Sequence, residues 1–394
     1  MVVLSFLIFI AVLGVGVVVP VLPIYAAKFG AMGIEVGFVF SALSISRLIG
    51  VLFIGSIADR LGKKKFIILG LFVYLISSIL YIYADSLIKL IWVRAFQGLG
   101  SAMIVPLAMA YAGELAPSGK EGTYMGIANT FFFLGLGGGP LISGVLVKRW
   151  GIDSAFIGMA SFTLIALLLA VFLLPSSVSS NRSLRGKTDL LGAFKIIFLN
   201  RFYFSFFFVG FAMDLSRSIL MTFFPLMANS KGIDYDEIGM MVGFFLSITA
   251  LVQGPFGKLA DRLSKGKIII LTNFIYGVLL ITIPLIISRC FLLLTVVLLG
   301  IFAGAGYPAL AAIMTETGRE RGMALSMSVL QVANSIGMSL GPVISGGAQD
   351  LFGSVAPFIV GALSLYIGIF LILSLPSQKS RYHEGYSSAS CDKK

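Results

Sequence analysis

The sequence predicts an all-α membrane protein of twelve transmembrane helices, arranged as two six-helix bundles related by a parallel repeat. Three observations carry that prediction. The first is internal similarity. Displaced by 202 residues, the chain falls into register with itself: Pro23 meets Pro225, Glu35 meets Glu237, and Gly37 meets Gly239. The run Gly55-Ser56-Ile57-Ala58-Asp59-Arg60-Leu61 meets Gly257-Lys258-Leu259-Ala260-Asp261-Arg262-Leu263, and the match continues through Glu114/Glu316, Gly139-Pro140/Gly341-Pro342 and Ser143-Gly144/Ser345-Gly346. A constant offset held over about 130 positions marks a duplicated module, and membrane proteins built this way place their site between the repeats. The second observation is hydropathy: the chain is 58% hydrophobic and 12% charged, with a mean hydropathy of +1.03, beyond what a water-soluble core requires. The third is the placement of the 29 Lys and Arg residues: with the N-terminus cytoplasmic, 20 fall in inner loops and tails, six in outer loops and three within spans. This positive-inside bias predicts cytoplasmic termini. It also accounts for the net charge of +12 without nucleic acid as a partner.

Apolar stretches long enough for a ~30 Å hydrocarbon layer recur at 3–27, 36–57, 66–84, 88–112, 124–147, 154–174, 202–227, 238–258, 268–287, 291–314, 322–346 and 355–375. Six spans per repeat is an even number, so both halves enter from the same side. The predicted organisation is an N-terminal bundle over 1–174, a cytoplasmic linker over 175–201, a C-terminal bundle over 202–376 and a polar tail over 377–394. The first span lacks a basic n-region and is too long for a signal-peptide core, so it reads as a retained helix. Within the linker, Asp189–Ile197 has helical spacing suited to the inner membrane surface.

Span 2 ends in Gly55-x-x-Ala58-Asp59-Arg60-x-Gly62-Lys63-Lys64-Lys65. Gly55 predicts close approach of another helix, and Asp59 is placed to meet the positive N-terminus of a neighbour. That neighbour is span 11, beginning near Gly322. By the repeat, Asp261 meets span 5, beginning near Thr123, in the second copy Gly257–Lys265, which includes Arg262. Glu114 and Glu316, at the inner ends of spans 4 and 10, are the expected partners of Lys63 and Lys265. A matching copy in each half favours a gating latch over topogenic charge alone. Span 5 carries Gly135-x-x-x-Gly139-Pro140-x-x-Ser143-Gly144, repeated in span 11 as Gly337-x-x-x-Gly341-Pro342-x-x-Ser345-Gly346. Small residues four apart allow close packing and proline bends a helix. No strand precedes the glycines, so this is no nucleotide loop.

Charges within spans cost about 2.5–3.5 kcal/mol each on insertion scales and are functional candidates. Arg47 and Asp214 lie near mid-depth, Arg94 lies in the outer third of span 4, and Arg217 is one turn beyond Asp214. Asp214 and Arg217, three apart, satisfy two readings: a static ion pair on one helix face, or a carboxylate that gains and loses a proton. Arg94 and Gln97 are expected to organise span 4 by hydrogen bonds, and Arg47 to satisfy acceptors inside the N-terminal bundle. Three arginines against one acid also admit an anionic ligand, although the repeat pairs Arg47 with Thr249 and Arg217 with Val15 and so completes neither site. Asn129, Gln253, Tyr307, Gln331 and Asn334, with Gln97, are the remaining polar candidates for a central cavity, alongside Phe131, Phe132 and Phe211.

These motifs resemble those of the major facilitator superfamily over residues 1–376. The stretch Gly55–Lys64 is similar to its signature loop, and Gly257–Lys265 to the weaker second copy, with Ser264 in place of the second glycine. Arg94-x-x-Gln97-Gly98-x-Gly100-x-Ala102 is similar to its fourth-helix motif, and the Gly-Pro pattern of span 5 to the fifth-helix motif associated with antiporters. Gly14 followed by Pro20–Tyr25 resembles the first helix of twelve-helix drug:proton antiporters. The resemblance implies a secondary active transporter working by alternating access, most of all a proton-coupled exporter of drugs or other amphipathic molecules. The alternative is a carrier for an anionic or sugar-like metabolite. The repeat of the Gly-Pro pattern in span 11 gives a structural reading, two symmetric bends, equal standing with an antiporter-specific role. The expected partners are a small-molecule substrate, protons and the lipid bilayer of the cell membrane, with the chain acting as a monomer. No cofactor is expected. His383 is the sole histidine, and Cys290 and Cys391 fall on opposite sides of the predicted membrane, which leaves no metal site and no internal disulfide. The lack of a buried His, Cys or paired-acid cluster argues against a membrane-embedded enzyme.

Overall fold

The computed structural model describes residues 1–117, 121–175, 200–321 and 323–375. Side chains at 52, 56, 59, 60, 121–123, 125, 261, 318–321, 323–325, 327 and 328 are not described. Helices account for every span the sequence predicts. They are α1 (Val2–Val18, continued by Leu22–Ala27), α2 (Gly33–Leu61), α3 (Lys63–Ile82), α4 (Leu87–Glu114), α5 (Glu121–Trp150) and α6 (Asp153–Phe172), then α7 (Arg201–Ser230), α8 (Tyr235–Arg262), α9 (Lys265–Thr282), α10 (Arg289–Arg321), α11 (Met323–Phe352) and α12 (Ala356–Leu373). Among the described residues, eleven are long and apolar enough to cross a membrane. The first predicted span is present as Val2–Ala27, its helix interrupted after Val18, where Pro20 has no N–H to donate. The predicted surface helix of the linker and the polar tail lie outside the described residues.

Helices are forced on such a chain, since every backbone polar group in hydrocarbon must be satisfied within its own segment. Their packing reproduces the sequence repeat. In the first half α1 packs on α5 and α6, α2 on α4, and α3 on α4 and α6; in the second, α7 packs on α11 and α12, α8 on α10, and α9 on α10 and α12. Two hydrophobic cores result, one drawn from residues 4–174 and one centred on residues 203–365. The halves meet chiefly through α2 against α11 and α5 against α8.

The terminal face, which carries Met1 and the end of α12, is the predicted cytoplasmic one; the opposite face is called the far face. Exposed Tyr83, Trp92 and Trp150 sit at the far ends of α3, α4 and α5, where aromatic side chains favour the membrane–water boundary. Cys290, exposed, opens α10 on the same face. At the terminal face Gly62 has φ +95° and joins α2 directly to α3, a conformation that favours glycine. The equivalent turn uses Leu263 with ψ 167° and Ser264 with φ −64°, so the second copy needs no glycine there.

Candidate functional site

Between the halves runs a seam that is closed in its far half; in its terminal half, among the described residues, a Cβ on Gly55, Gly126 or Gly254 would meet nothing within 4 Å. On one side, a Cβ placed on Gly346 of α11 would lie 2.5 Å from the Gly33 carbonyl carbon and 2.7 Å from Ile34 Cα. One placed on Gly37 would lie 2.7 Å from the Pro342 carbonyl carbon. On the other side, a Cβ on Gly144 of α5 would lie 2.6 Å from Asp236 Cα, and one on Gly239 would lie 2.9 Å from Gly144 Cα. The two contacts are the same contact displaced by 202 residues. Pro140 and Pro342 thus sit at the seam inside unbroken helices, their carbonyls facing Gly239 and Gly37. Gly139 packs against Gly16 of α1, and Gly341 against Leu215 and Ser218 of α7.

Polar latches close the same end. The N–H groups of Gly33 and Ile34, which open α2 and lack helical partners, donate to Asp350 Oδ1 and Oδ2 at 2.8 and 2.9 Å. At the equivalent place on the other side, Lys148 Nζ lies 2.8 Å from Asp236 Oδ2 and 3.7 Å from Asp234 Oδ2, at the start of α8. Ser41 donates to the Ser339 carbonyl across the first seam. Sequence reasoning did not identify Lys148 and Asp350 as a pair of latches. The offset that aligns the glycines also aligns these two residues, with opposite charges, at the ends of the Gly-Pro helices. The two latches differ in strength. An exposed Lys–Asp pair contributes about 0.2–1 kcal/mol, whereas losing a helix N-cap costs about 0.5–2 kcal/mol. Asp350→Ala is therefore expected to raise the population open at the far face several-fold, and Asp350→Asn, which keeps one of the two acceptor oxygens, to raise it less. Spin-label distances across the far face check this, and equal effects of the two variants would contradict the capping role.

Below the closed seam, a cavity of about 360 Å³ separates α5 from α8. Asn129 and Gln253 line it, as the sequence anticipates, joined by Thr130, Phe133 and Ser247, which sequence reasoning passed over. Neither amide has a hydrogen-bond partner among the described residues. The other polar candidates lie elsewhere. Gln97 is fully buried inside the N-terminal bundle, Gln331 is exposed on α11, and Tyr307 and Asn334 belong to the network around Asp214.

Asp214 is 3% exposed. Arg217 Nη1 lies 3.1 Å from Asp214 Oδ1, with the arginine side chain 26% exposed. With its NH2 turned toward acceptors, the Asn334 amide donates to Asp214 Oδ2 at 2.9 Å and to the Leu330 carbonyl at 3.1 Å, and its oxygen accepts from the Tyr307 hydroxyl at 3.1 Å. The opposite orientation would set one carbonyl-type oxygen against another. Residues of α7 and α11 thus hold one carboxylate inside the C-terminal bundle, and Tyr307 of α10 reaches it only through Asn334. Arg217 Nε and the hydroxyl of buried Tyr276 have no partner in this arrangement.

In the N-terminal bundle Arg94 Nη1 donates to Gln97 Oε1 at 2.8 Å, which also accepts from Tyr81 at 2.6 Å. The Arg94 guanidinium lies 5.1 Å from the Phe40 ring centroid, a cation–π contact. These bonds join α2, α3 and α4 in the way expected of the fourth-helix motif. Arg47 departs from expectation: half-buried on α2, it has no hydrogen-bond or ion-pair partner among the described residues.

At the terminal face, Lys63 Nζ lies 2.5 Å from Glu114 Oε1 and Lys265 Nζ 2.9 Å from Glu316 Oε1. Both pairs anticipated from the repeat are present. Arg262 is exposed. The side chains of Asp59, Arg60 and Asp261, the residue Gly322 and the side chain of Thr123 lie outside the described residues, so the expected helix-terminus latch does too. Among the described residues, a Cβ on Gly55 would meet nothing within 4 Å, and one on Gly257 would meet Pro308 Cβ at 3.9 Å.

A family model described as the Major Facilitator Superfamily matches residues 4–215 and 206–389. Multidrug resistance protein 2 of Bacillus subtilis is 28% identical over 388 residues, covering 95% of this chain and 94% of that protein. An MFS-type transporter of Methanocaldococcus jannaschii is 28% identical over 371 residues, covering 93% and 96%. Among solved structures, a mutant of the nucleoside transporter NupG superposes with a TM-score of 0.77 at 16% identity, covering 95% of this chain and 98% of that one. A bacterial homolog of the human lysosomal transporter Spinster, inward-facing and unoccupied, superposes with a TM-score of 0.76 at 16% identity, covering 94% of each. At such identity the structures speak to fold alone. With both repeats matched by the family model and paired bundle for bundle in the packing, this chain belongs to the Major Facilitator Superfamily of membrane transporters.

Proposed function

We propose that the protein exports amphipathic small molecules in exchange for protons, alternating between access to the terminal face and access to the far face. The observation that carries this reading is a cavity between the bundles beneath a seam whose two sides are closed by equivalent contacts. Equivalent seams let two rigid bundles rock about the cavity, which is how repeat-built carriers alternate. The excess of basic residues on the terminal face supports a cytoplasmic orientation of that face, in which the cavity loads from the cell interior. Similarity to proteins named for multidrug resistance over more than nine-tenths of the chain supports drug-like cargo. Asp214 is assigned the proton, because it is an acid buried in the bundle interior, paired with Arg217 of its own helix and hydrogen-bonded by Asn334 of α11. In proteoliposomes with an imposed pH gradient, a panel of radiolabelled amphipathic compounds should accumulate on the acidic side, and a protonophore should abolish that accumulation. Accumulation insensitive to the protonophore would contradict proton exchange.

A second reading, a carrier for an anionic metabolite, is favoured by one observation: the unpartnered guanidinium of Arg47 near mid-membrane. In that case uptake of organic anions should be lost in Arg47→Gln, whereas export of amphipathic compounds survives that substitution under the first reading.

A further inference from the structure

We infer that the cavity between α5 and α8 selects uncharged ligands bearing an amide-like polar edge, held between Asn129 of one bundle and Gln253 of the other. The inference rests on the reading above that this cavity is the transport site, and it adds the class of cargo. Among the described residues, ten line the cavity and none carries a charge. A ligand ion settling in it would give up part of its water to mainly apolar walls that hold no counter-ion among the described residues, a transfer that is costly unless the charge is paired. The buried ionic groups do not relieve that cost. Asp214 is engaged by Arg217 and Asn334 inside the C-terminal bundle, Arg94 by Gln97 and Phe40 in the other, and neither lines the cavity.

What the cavity does offer is specific. A primary amide presents both a donor and an acceptor. Two of them, Asn129 on the α5 wall and Gln253 on the α8 wall, have no partner among the described residues. Thr130 is already engaged, donating to the Gly126 carbonyl at 2.9 Å. A ligand edge that both donates and accepts, such as a carboxamide or a lactam, pairs with either amide, while the Phe133 ring and the side chains of Leu134 and Leu251 take its apolar body. Because one amide belongs to each bundle, a bound ligand of this kind ties the walls together across the seam. Substrate and proton then occupy separate places, the one between the bundles and the other inside the C-terminal bundle. Their coupling runs through conformation and not through competition for one carboxylate.

The test uses three naphthalene probes with a common ring and different heads: the 2-carboxamide, the 2-carboxylate and the 2-trimethylammonium. Binding is measured by calorimetry on the full-length protein in nanodiscs, with empty nanodiscs as the partition blank. The carboxamide should bind at least tenfold more tightly than either ion. Asn129→Ala and Gln253→Ala should each weaken the carboxamide about fivefold, the worth of one hydrogen bond, and leave the ions unchanged. Gln253→Glu should raise the affinity of the trimethylammonium probe at least tenfold, a gain that a misfolded variant cannot show. Equal binding of carboxamide and ion, absence of carboxamide binding, or indifference to all three substitutions would overturn the inference. Counterflow of the carboxamide in proteoliposomes separates this inference from the transport reading. Binding with the expected pattern but without counterflow sinks transport through this cavity and leaves the site standing. Counterflow unaffected by the substitutions sinks the site and leaves transport standing.

Discussion

Gly346→Leu is expected to expel the protein from the state seen in the structure. A Cβ at this position already falls 2.5 Å from the Gly33 carbonyl carbon and 2.7 Å from Ile34 Cα, and backbone, unlike the tip of a flexible side chain, cannot rotate aside. Overpacking a close contact costs about 1–3 kcal/mol, or roughly a 5- to 150-fold shift in a two-state ratio. The leucine branches beyond Cβ place the effect toward the upper end. The energy is lost only where α2 and α11 touch, so the state open at the far face is spared and its population rises. Gly239→Leu, the seam residue on the other side, should act in the same direction, because a Cβ there would lie 2.9 Å from Gly144 Cα. Gly55→Ala is the control: a Cβ there meets nothing within 4 Å among the described residues, and the substitution should leave the far face closed. Solvent accessibility of a cysteine placed at Asn129, in a Cys290→Ser and Cys391→Ser background, reports the change. In Gly346→Leu it should be labelled from the far face, and labelling restricted to the terminal face would contradict the expectation.

Asp214→Asn is expected to abolish gradient-driven accumulation while sparing exchange at equal concentrations, since exchange needs the bundles to rock but needs no change of charge. The competing account is a static pair with Arg217 at 3.1 Å. Removing one partner of a buried pair typically costs about 3–5 kcal/mol, because a charge is stranded. Arg217 is 26% exposed, which moderates that cost, and Asn334 remains to hydrogen-bond the new amide. The single variant should therefore fold and bind ligand. The decisive comparison is Asp214→Asn with Arg217→Gln, where no charge is left to strand. A static pair would regain stability and gradient-driven transport together. The proton assignment predicts stability without gradient-driven transport, and recovery of transport in the double variant would end it.

The spans were legible because hydrocarbon leaves a backbone few choices, and the repeat was legible because glycines and prolines at close contacts tolerate little else. Helix ends were less so. α10 runs from Arg289 to Arg321 where hydropathy marks 291–314, since a helix continues into water on polar residues that hydropathy does not count. Pairs within one helix or at equivalent helix ends could be read in advance, as with Asp214–Arg217, Lys63–Glu114 and Lys265–Glu316. The capping of α2 by Asp350 spans more than three hundred residues, and the meeting of Asn334 with Asp214 depends on how α7 packs against α11. Neither leaves a local pattern. Gly55 shows a further limit. Its small side promises a close contact, but which of two alternating states contains that contact is a property of the conformation, and here a Cβ on it would meet nothing within 4 Å among the described residues.

The central claim is that two rigid bundles rock about the cavity, one seam closing as the other opens. Pulsed electron–electron resonance on two pairs of repeat-related positions tests it most directly. Leu61 and Leu263, 57% and 54% exposed, mark the terminal ends of α2 and α8, and Tyr83 and Leu285, 73% and 68% exposed, mark the far ends of α3 and α9. With both native cysteines replaced by serine, each pair is labelled separately in an otherwise unaltered chain and in Gly346→Leu. The account predicts that the Leu61–Leu263 distance shortens while the Tyr83–Leu285 distance lengthens in the variant. Movement of both pairs in the same direction, or of one pair alone, would contradict rigid-bundle alternation.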